Sequence, residues 1–207
     1  MRILQGFLMF MGALAVLAII ALVLGYVLAI LTPDIRASLR PVVLSSESVD
    51  SFNKKMGDLR MQMRAAGTSG SEVTLTLTEE EVNSMIVMSL AEGTFPAKEI
   101  LVNFNDGYLV LYSAWNFNAF PAKTGVIGSF DVEDKKPKFL LRSVFLGKLP
   151  LPPGINSGAQ DLTNIILRIN PMIFNPMVNY KEITISEGSI KLVGTVNRVN
   201  TSASASK

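Results

Sequence analysis

The first stretch of the chain, from Ile3 to Leu31, constrains everything that follows it. It contains no charged residue, and Gln5 is its only clearly polar side chain. An α-helix rises about 1.5 Å per residue, so roughly 20 apolar residues cross the hydrocarbon core of a bilayer. The stretch is longer than this minimum. The sequence therefore predicts a transmembrane helix over residues 1–31, with the rest of the chain tethered to a membrane.

This apolar stretch is interpreted as a retained anchor, because the apolar region of a cleaved signal peptide is only about 7–15 residues long. The flanking basic residues, Arg2 before it and Arg36 and Arg40 after it, are nearly balanced and set no clear orientation. A short N-terminal stub before a long polar domain usually stays inside the cell. We therefore expect a single-pass protein of the cell membrane with the bulk of the chain outside the cytoplasm.

The absence of two residue types removes many chemistries. The chain has no cysteine and no histidine, so disulfides and thiolate metal sites are excluded, and the commonest general base is missing. The net charge is +2, from 19 basic and 17 acidic residues. This balance argues against a nucleic-acid partner, since such proteins carry a basic patch or stripe. The sequence points to no cofactor and no metal.

The rest of the chain divides into three parts. Residues 32–47 form a juxtamembrane linker, because Pro33 cannot continue a helix. Residues 48–199 form one extracytoplasmic domain, and residues 200–207 are a tail too polar and small to fold. Fully extended, a linker of about 16 residues reaches at most about 50 Å. The domain is therefore expected near the membrane surface.

Periodic patterns within the domain predict both helices and strands. Apolar residues three and four apart predict an amphipathic helix over 48–64, which we expect to pack on the domain's own sheet rather than on a second copy. Thr78 and Glu81 form a capping box that starts a second helix. A third helix is predicted over 158–169. Strands are predicted over 72–77, 99–104, 108–118, 126–133, 138–146, 182–186 and 189–199.

The segments between these elements are also informative. Asn105-Asp106-Gly107 and Glu187-Gly188 are typical of hairpin turns. Residues 119–125 are expected to form a connection, and the proline-rich 147–154 an extended crossing. A helix followed by a hairpin occurs twice, which is a weak repeat. The fold class is therefore α+β, with a curved antiparallel sheet and helices packed on one face.

The motif Leu77-Thr78-x-x-x-Val82-Asn83, a hairpin, the run Leu146-Gly147-x-Leu149-Pro150-x-Pro152 and a final Glu-Gly hairpin follow one another in the chain. In this order the domain resembles the YpmS-like domain of unknown function. More distantly it resembles tubular lipid-binding (TULIP-like) domains. The first resemblance implies a single-pass membrane protein with a small extracytoplasmic domain. The second implies a helix along a curved sheet that holds acyl chains, and neither supplies catalytic residues.

The predicted strands have apolar side chains on both faces, so both faces are expected to be covered. One interpretation is a membrane-anchored, non-enzymatic module that binds an apolar ligand such as a lipid. For each residue, the alternative is that it fills an ordinary core. The candidate ligand-binding residues are Tyr108, Val110, Tyr112, Phe139, Leu141, Phe145, Met172, Ile173, Phe174 and Met177.

Two other functions stay open. The chain could be a scaffold or accessory subunit of a membrane complex, since Ala21, Gly25 and Ala29 form a row of small residues that can pack against another helix. An enzyme is disfavoured, because each candidate carboxylate sits where a helix start or a turn already explains it. Those carboxylates are Glu79, Glu80, Glu81, Asp106 and Asp131.

Overall fold

The computed structural model of the protein describes residues 2–65, 71–93, 97–117, 120–152, 174 and 177–196. It is an α+β fold with an N-terminal apolar helix and antiparallel sheets. The helices are α1 (Arg2–Ile30), α2 (Ile35–Ser38), α3 (Ser46–Ala65) and α4 (Glu79–Ala91). The strands are β1 (Glu72–Thr78), β2 (Ala97–Asn105), β3 (Tyr108–Phe117), β4 (Phe120–Glu133), β5 (Lys136–Leu146), β6 (Leu149–Pro150), β7 (Val178–Ser186) and β8 (Ser189–Val196).

The strands form two antiparallel sheets rather than the one expected. Sheet A has the order β1-β8-β7, and sheet B has the order β2-β3-β4-β5-β6. Short turns join the strands of sheet B, so each pairs with its neighbour in the chain. Helix α4 separates β1 from β2, and β1 pairs instead with β8, with Val73 opposite Gly194. The beginning and the end of the domain are thereby joined.

The main core lies where α3 and the two sheets meet. The stripe of α3 predicted to be apolar contributes Phe52, Met56 and Leu59, which pack with Leu77 of sheet A and Phe104 of sheet B. Phe52 is only 1% exposed. Burial of one such side chain contributes about 1.5–3 kcal/mol. The apolar stripe of α3 therefore packs within its own domain, as predicted.

The two sheets are also joined at their hairpin turns. Gly107 donates its backbone N–H to the carbonyl of Ile185 at 2.9 Å, and Gly188 donates to the carbonyl of Phe104 at 3.0 Å. Each acceptor lies three residues before the glycine of its own turn, so the two turns bind each other reciprocally. Both glycines have positive φ, 77° and 74°, which glycine adopts without strain. The weak repeat seen in the sequence thus corresponds to two turns of the same geometry.

Some sequence predictions are confirmed and others corrected. The capping box of Thr78 and Glu81 starts α4, as predicted. Residues 119–125 were expected to be a connection, but β4 begins at Phe120. Pro121 fits there because β5 pairs with β4 only from Thr124 onward, so the missing N–H has no partner to lose. The strand predicted over 182–186 is longer than expected, since β7 begins at Val178. The helix predicted over 158–169 and the tail 200–207 lie outside the described residues.

The proline-rich crossing returns along the edge of sheet B. Leu149 and Pro150 pair with Leu146 and Phe145 as strand β6. The backbone N–H of Leu151 then donates to the carbonyl of Val144 at 2.8 Å. The crossing is therefore extended as predicted over these residues, and it also adds a short edge strand.

The C-terminal end of α1 is fastened to the domain. The backbone N–H of Lys148 donates to the carbonyl of Leu28 at 2.8 Å, and Ala29 is only 7% exposed. Gly147 lies so close that a Cβ there would be 2.2 Å from the Leu28 carbonyl oxygen. The last carbonyls of a helix lack partners within the helix, and Lys148 satisfies one of them. We call Leu28, Ala29, Gly147 and Lys148 the anchor joint.

Among the described residues, one helix is long and apolar enough to cross a membrane. Its mean hydropathy is 3.0, and 6% of the apolar window is buried inside the protein. Such a helix near the N-terminus is compatible with a single-pass anchor or with a signal sequence.

Candidate ligand site

Residues 32–40 lie over one face of sheet B, and we call this segment the strap. Ile35 sits on Gly125, where a Cβ would be 2.1 Å from the Ile35 Cδ1 atom. Tyr112 of β3 and Phe145 of β5 lie opposite Gly125 in the sheet register. Ile35 therefore packs directly on the backbone of Gly125, between the aromatic residues Tyr112 and Phe145. We call this covered face the outer face of sheet B.

The next strap residue, Arg36, binds the same face through charge and stacking. Its Nη2 atom is 2.7 Å from Glu99 Oε1, and its guanidinium lies 5.2 Å from the centre of the Tyr112 ring. Tyr112 is 2% exposed. Its burial raises the pKa of the Tyr112 hydroxyl, and Glu99 adds to this effect while Arg36 opposes it. The strap thus covers Tyr112, one of the candidate ligand-binding residues.

Arg40 fastens the far end of the strap to both sheets. Its backbone N–H donates to Asn103 Oδ1 at 2.6 Å, and its guanidinium bonds to Glu79, Glu187 and the carbonyl of Phe104. Glu79 is 4% exposed and also accepts from Asn103 Nδ2 at 2.8 Å and from the Phe104 N–H at 2.7 Å. A buried carboxylate with this many donors has a structural role, since each donor offsets the cost of its burial.

The ten candidate ligand-binding residues do not line one groove. Tyr108, Val110, Tyr112 and Phe145 lie on the outer face of sheet B, which carries the strap. Phe139, Leu141 and Phe174 belong to the core or pack against it. Met177 is 50% exposed beside the start of β7. Met172 and Ile173 lie outside the described residues. Both apolar faces of sheet B are thus covered by other parts of the chain.

A chain of aromatic contacts leads from sheet B to sheet A. The Phe139 and Phe130 ring centres are 5.2 Å apart, and Phe130 lies 5.1 Å from Phe174. Phe174 in turn lies 6.1 Å from Tyr180 of β7. These distances are typical of favourable aromatic pairs. Two candidate residues, Phe139 and Phe174, are thereby connected to a cleft that Tyr180 helps to line.

That cleft lies between α3 and sheet A, and we call it the α3 cleft. Its lining comes from α3 and from all three strands of the sheet, and none of the side chains is charged. The enclosed space is about 10 Å³, which is about the room that one water needs. The lining residues are Leu59, Val73, Leu75, Val178, Tyr180, Leu192 and Gly194.

Sequence reasoning missed this cleft because its residues have the ordinary alternation of a half-buried strand. One signal was present. Gly194 lies in the interior of β8, and glycine within a strand often marks a close approach of another group. Here a Cβ would be 2.5 Å from Val178 Cγ1 and 2.7 Å from the Asn179 carbonyl oxygen. The glycine therefore allows β7 and β8 to pack closely at the floor of the cleft.

A buried carboxylate holds α3 in place over this cleft. Glu81 of α4 is 4% exposed and accepts hydrogen bonds from Ser51 at 2.6 Å and from the Thr78 N–H at 2.9 Å. Its Oε1 atom is 2.7 Å from Lys55 Nζ. Burial alone would raise the pKa of Glu81, but the bonds from Lys55, Ser51 and Thr78 outweigh it and lower the pKa. We call Ser51, Lys55 and Glu81 the α3 latch.

The other candidate carboxylates are Asp106, Asp131 and Glu80. Asp106 Oδ1 accepts from the Glu187 N–H at 3.0 Å, and Asp131 Oδ1 accepts from the Val132 N–H at 2.8 Å. Glu80 is exposed. Across the part of the chain that the structure describes, no group of three or more acidic residues could hold a metal ion. Asp106 and Asp131 therefore have local hydrogen-bond partners, and Glu80 faces the solvent.

Comparisons with protein-family models, with curated proteins and with solved structures find no match to this chain. The function is therefore proposed from the geometry of the described residues.

Proposed function

We propose that the protein is a membrane-anchored, non-enzymatic module that binds an apolar ligand, such as a lipid acyl chain, in the α3 cleft. In this proposal α1 is retained, and the bulk of the chain lies outside the cytoplasm. One observation carries the proposal: α3 and all three strands of sheet A meet in a cleft that has no charged side chain among its described lining residues. Ligand sites of this kind are concave and mostly apolar.

A lipid acyl chain can enter the α3 cleft only if α3 moves. Sites for small molecules usually enclose about 300–1,000 Å³, far more than the space enclosed here. Helix α3 supplies only Leu59 to the described lining, and the methionines nearby, Met56 and Met63, can repack around a new shape. The α3 latch provides polar contacts between α3 and α4. A shift of α3 that breaks this latch would open the cleft between α3 and sheet A.

The resemblance to TULIP-like domains supports the same function, and the resemblance to YpmS-like domains supports the single-pass topology. Membership of the YpmS-like family is part of the proposal, and so is a curved sheet with helices on one face. In TULIP-like domains a helix lies along the sheet that holds the acyl chains. Here α3 lies over sheet A, with Phe52, Met56 and Leu59 in the shared core.

Native mass spectrometry of the full chain, extracted in mild detergent, tests the proposal. We expect a lipid to co-purify with the wild-type protein. Leu59→Trp fills the cleft and should abolish this, whereas Met61→Trp should not, because Met61 lies on the same helix and is 62% exposed. Thermal melts followed by circular dichroism check that both variants fold. The absence of lipid from the wild type, or equal lipid in both variants, would contradict the proposal.

The anchor joint favours a scaffold or accessory subunit as a second candidate. Because the joint and the strap fasten the domain to α1, a partner that packs on α1 would set the orientation of the domain. Ala29 is taken by the joint, but Ala21 is exposed and Gly25 has no atom within 4 Å of a built Cβ. Crosslinking in native membranes should then capture a partner that Gly25→Leu loses. A monomer with no crosslinked partner would exclude this candidate.

A further inference from the structure

Two lysines of sheet B reach the chain at the point where it leaves α1. Lys123 of β4 donates from Nζ to Thr32 Oγ1 at 2.8 Å. Lys148, in the turn between β5 and β6, has its Nζ atom 2.9 Å from Asp34 Oδ1. Thr32 and Asp34 come directly after the apolar stretch that ends at Leu31. Both ammonium groups therefore lie beside the end of that stretch, and we call Lys123 and Lys148 the lysine pair.

Backbone hydrogen bonds hold the lysine pair in this position. Gly147 donates its N–H to the carbonyl of Lys123 at 2.7 Å, and Lys148 donates its N–H to the carbonyl of Leu28 at 2.8 Å. The backbones of the two lysines are therefore fixed relative to each other and to the last turn of α1. Only the side chains have to adjust when a ligand binds, so the cost of ordering the site is small.

The lysine pair carries more positive charge than its described neighbours neutralise. The half-buried Lys123 bonds to the neutral hydroxyl of Thr32 and forms no ion pair with any carboxylate that the structure describes. The side chain of Asp34 is 84% exposed, so its ion pair with Lys148 is weak. An ammonium group has three N–H donors, and each described contact uses one of them. The lysine pair therefore has both the charge and the donors to bind an anion.

The position of the lysine pair indicates which anion it meets. The 29 residues of α1 span about 43 Å, which matches the thickness of a bilayer with its headgroups. The end of α1 then lies at the level of the headgroups, where the phosphate groups of phospholipids are. Lysine side chains commonly lie along apolar surface and place the ammonium group in this layer. Lipid phosphate is therefore the anion that the lysine pair meets when α1 crosses a bilayer.

We propose that the lysine pair binds the phosphate group of a phospholipid beside α1, and that this site prefers lipids with a net negative charge. The two ammonium groups donate to the phosphate oxygens. The hydroxyl oxygen of Thr32 accepts from Lys123, so its own hydrogen is available as a further donor. Asp34 competes with the phosphate for Lys148. The inference rests on the retention of α1 in the proposed function, but not on ligand binding in the α3 cleft.

Spin-labelled lipids test this site in the full chain. The protein is reconstituted into vesicles of phosphatidylcholine that contain a trace of spin-labelled phosphatidylglycerol or of spin-labelled phosphatidylcholine. An intact mass first verifies that α1 is present, since its absence would overturn the inference. Electron paramagnetic resonance then measures the fraction of each labelled lipid that the protein immobilises. We expect the protein to bind phosphatidylglycerol more tightly, by about 5-fold for each lysine. Equal immobilisation of the two lipids would overturn the proposal.

Charge variants separate this site from a general attraction between the protein and anionic lipid. Lys123→Gln with Lys148→Gln should lower the immobilisation of phosphatidylglycerol to the level of phosphatidylcholine. The matched control is Lys136→Gln with Lys191→Gln, which removes the same charge at exposed positions of β5 and β8 outside the anchor joint. Lys123→Arg with Lys148→Arg keeps the charge and should keep the preference. An equal loss in the two glutamine double variants would contradict the proposal.

Asp34→Asn tests the site in the opposite direction, and folding should tolerate this change because the side chain is 84% exposed. Removal of the competing carboxylate should increase the affinity for phosphatidylglycerol by up to about 5-fold. An unchanged or lower affinity would contradict the site. Sodium phosphate should displace no more lipid than sodium chloride of the same ionic strength, and greater displacement by phosphate would overturn a lipid as the ligand. Leu59→Trp should leave the lipid preference unchanged, so failure of the α3 cleft and failure of this site are distinguishable.

Discussion

Gly147→Ala tests whether the domain is fastened to α1. Gly147 has a φ of 57°, which alanine adopts only with strain. A Cβ there would be 2.2 Å from the carbonyl oxygen of Leu28 and 2.4 Å from that of Ala29. Favourable contacts between heavy atoms lie at about 3.5–4.0 Å, so the end of α1 must move away. We expect the anchor joint to open while the sheets stay folded.

The structure sets the size of this effect. Opening the joint removes the hydrogen bond from the Lys148 N–H to Leu28, which contributes about 1 kcal/mol. It also removes the ion pair of Lys148 with Asp34, which contributes at most about 1 kcal/mol because both groups are exposed. A total of about 1–2 kcal/mol raises the fraction of open joint by about 5- to 30-fold.

Trypsin measures the opening, because it cleaves after arginine and the strap contains Arg36 and Arg40. Both guanidinium groups are ion-paired to the domain. Gly147→Ala should increase the rate of cleavage after Arg36 by about 5- to 30-fold. The matched control is Gly107→Ala, also in a hairpin turn with a φ of 77° but with no atom within 4 Å of the Cβ. Equal rates in the two variants would refute the joint, because backbone strain alone would then explain the change.

Three further outcomes follow from the buried polar groups. Glu81→Gln should lower the free energy of unfolding in urea by about 2 kcal/mol at neutral pH, whereas Glu80→Gln, at an exposed position of α4, should change it by less than about 0.5 kcal/mol; equal effects would exclude the latch. Because the pKa of folded Glu81 lies below the ordinary value of 4.5, its stabilisation is complete above that pH and is lost as the pH falls through the folded pKa. The difference between wild type and Glu81→Gln should therefore shrink in acid, and a difference that grew would contradict the assignment. Asn83→Ala should cost about 2 kcal/mol, since it leaves the buried N–H of Val102 without its partner and the carbonyl of Val102 with only the bond from Asn103 Nδ2; a loss below about 1 kcal/mol would exclude this role.

Local patterns predicted much of the secondary structure. The capping box of Thr78 and Glu81, and the turns at Gly107 and Gly188, depend on residues close together in the chain, and each is found where the sequence indicated it. The apolar stripe of α3 likewise predicted which face packs inward. These features follow from the backbone preferences and periodicity of a few neighbouring residues. Such preferences act only between residues that are close together in the chain.

The strap and the anchor joint depend on partners that are far apart in the chain. Arg36 binds a residue 63 positions away, and Arg40 binds one 147 positions away. No local pattern links such partners, so the sequence showed only a mixed polar segment there. Gly125 was interpreted as part of a connection, but its lack of a side chain leaves the space that Ile35 fills. A glycine in a strand indicates a close approach without indicating which group approaches.

Strands that are apolar on both faces were the reason to expect a ligand, and the structure changes what this pattern means. The inner face of sheet B packs on the core, and the strap lies on its outer face, so Val110 and Tyr112 are buried without any ligand. A domain that follows a long apolar helix can cover a second apolar face with the chain that leads from that helix. The proposed ligand site is therefore beside sheet A and not on sheet B. There Leu59 of α3 lines the α3 cleft, and the α3 latch holds that helix in place. If a ligand binds in the α3 cleft, Glu81→Gln should break the α3 latch, increase the amount of bound lipid and lower the stability of the protein. If the cleft is only part of the core, Glu81→Gln should lower the stability without increasing the amount of bound lipid.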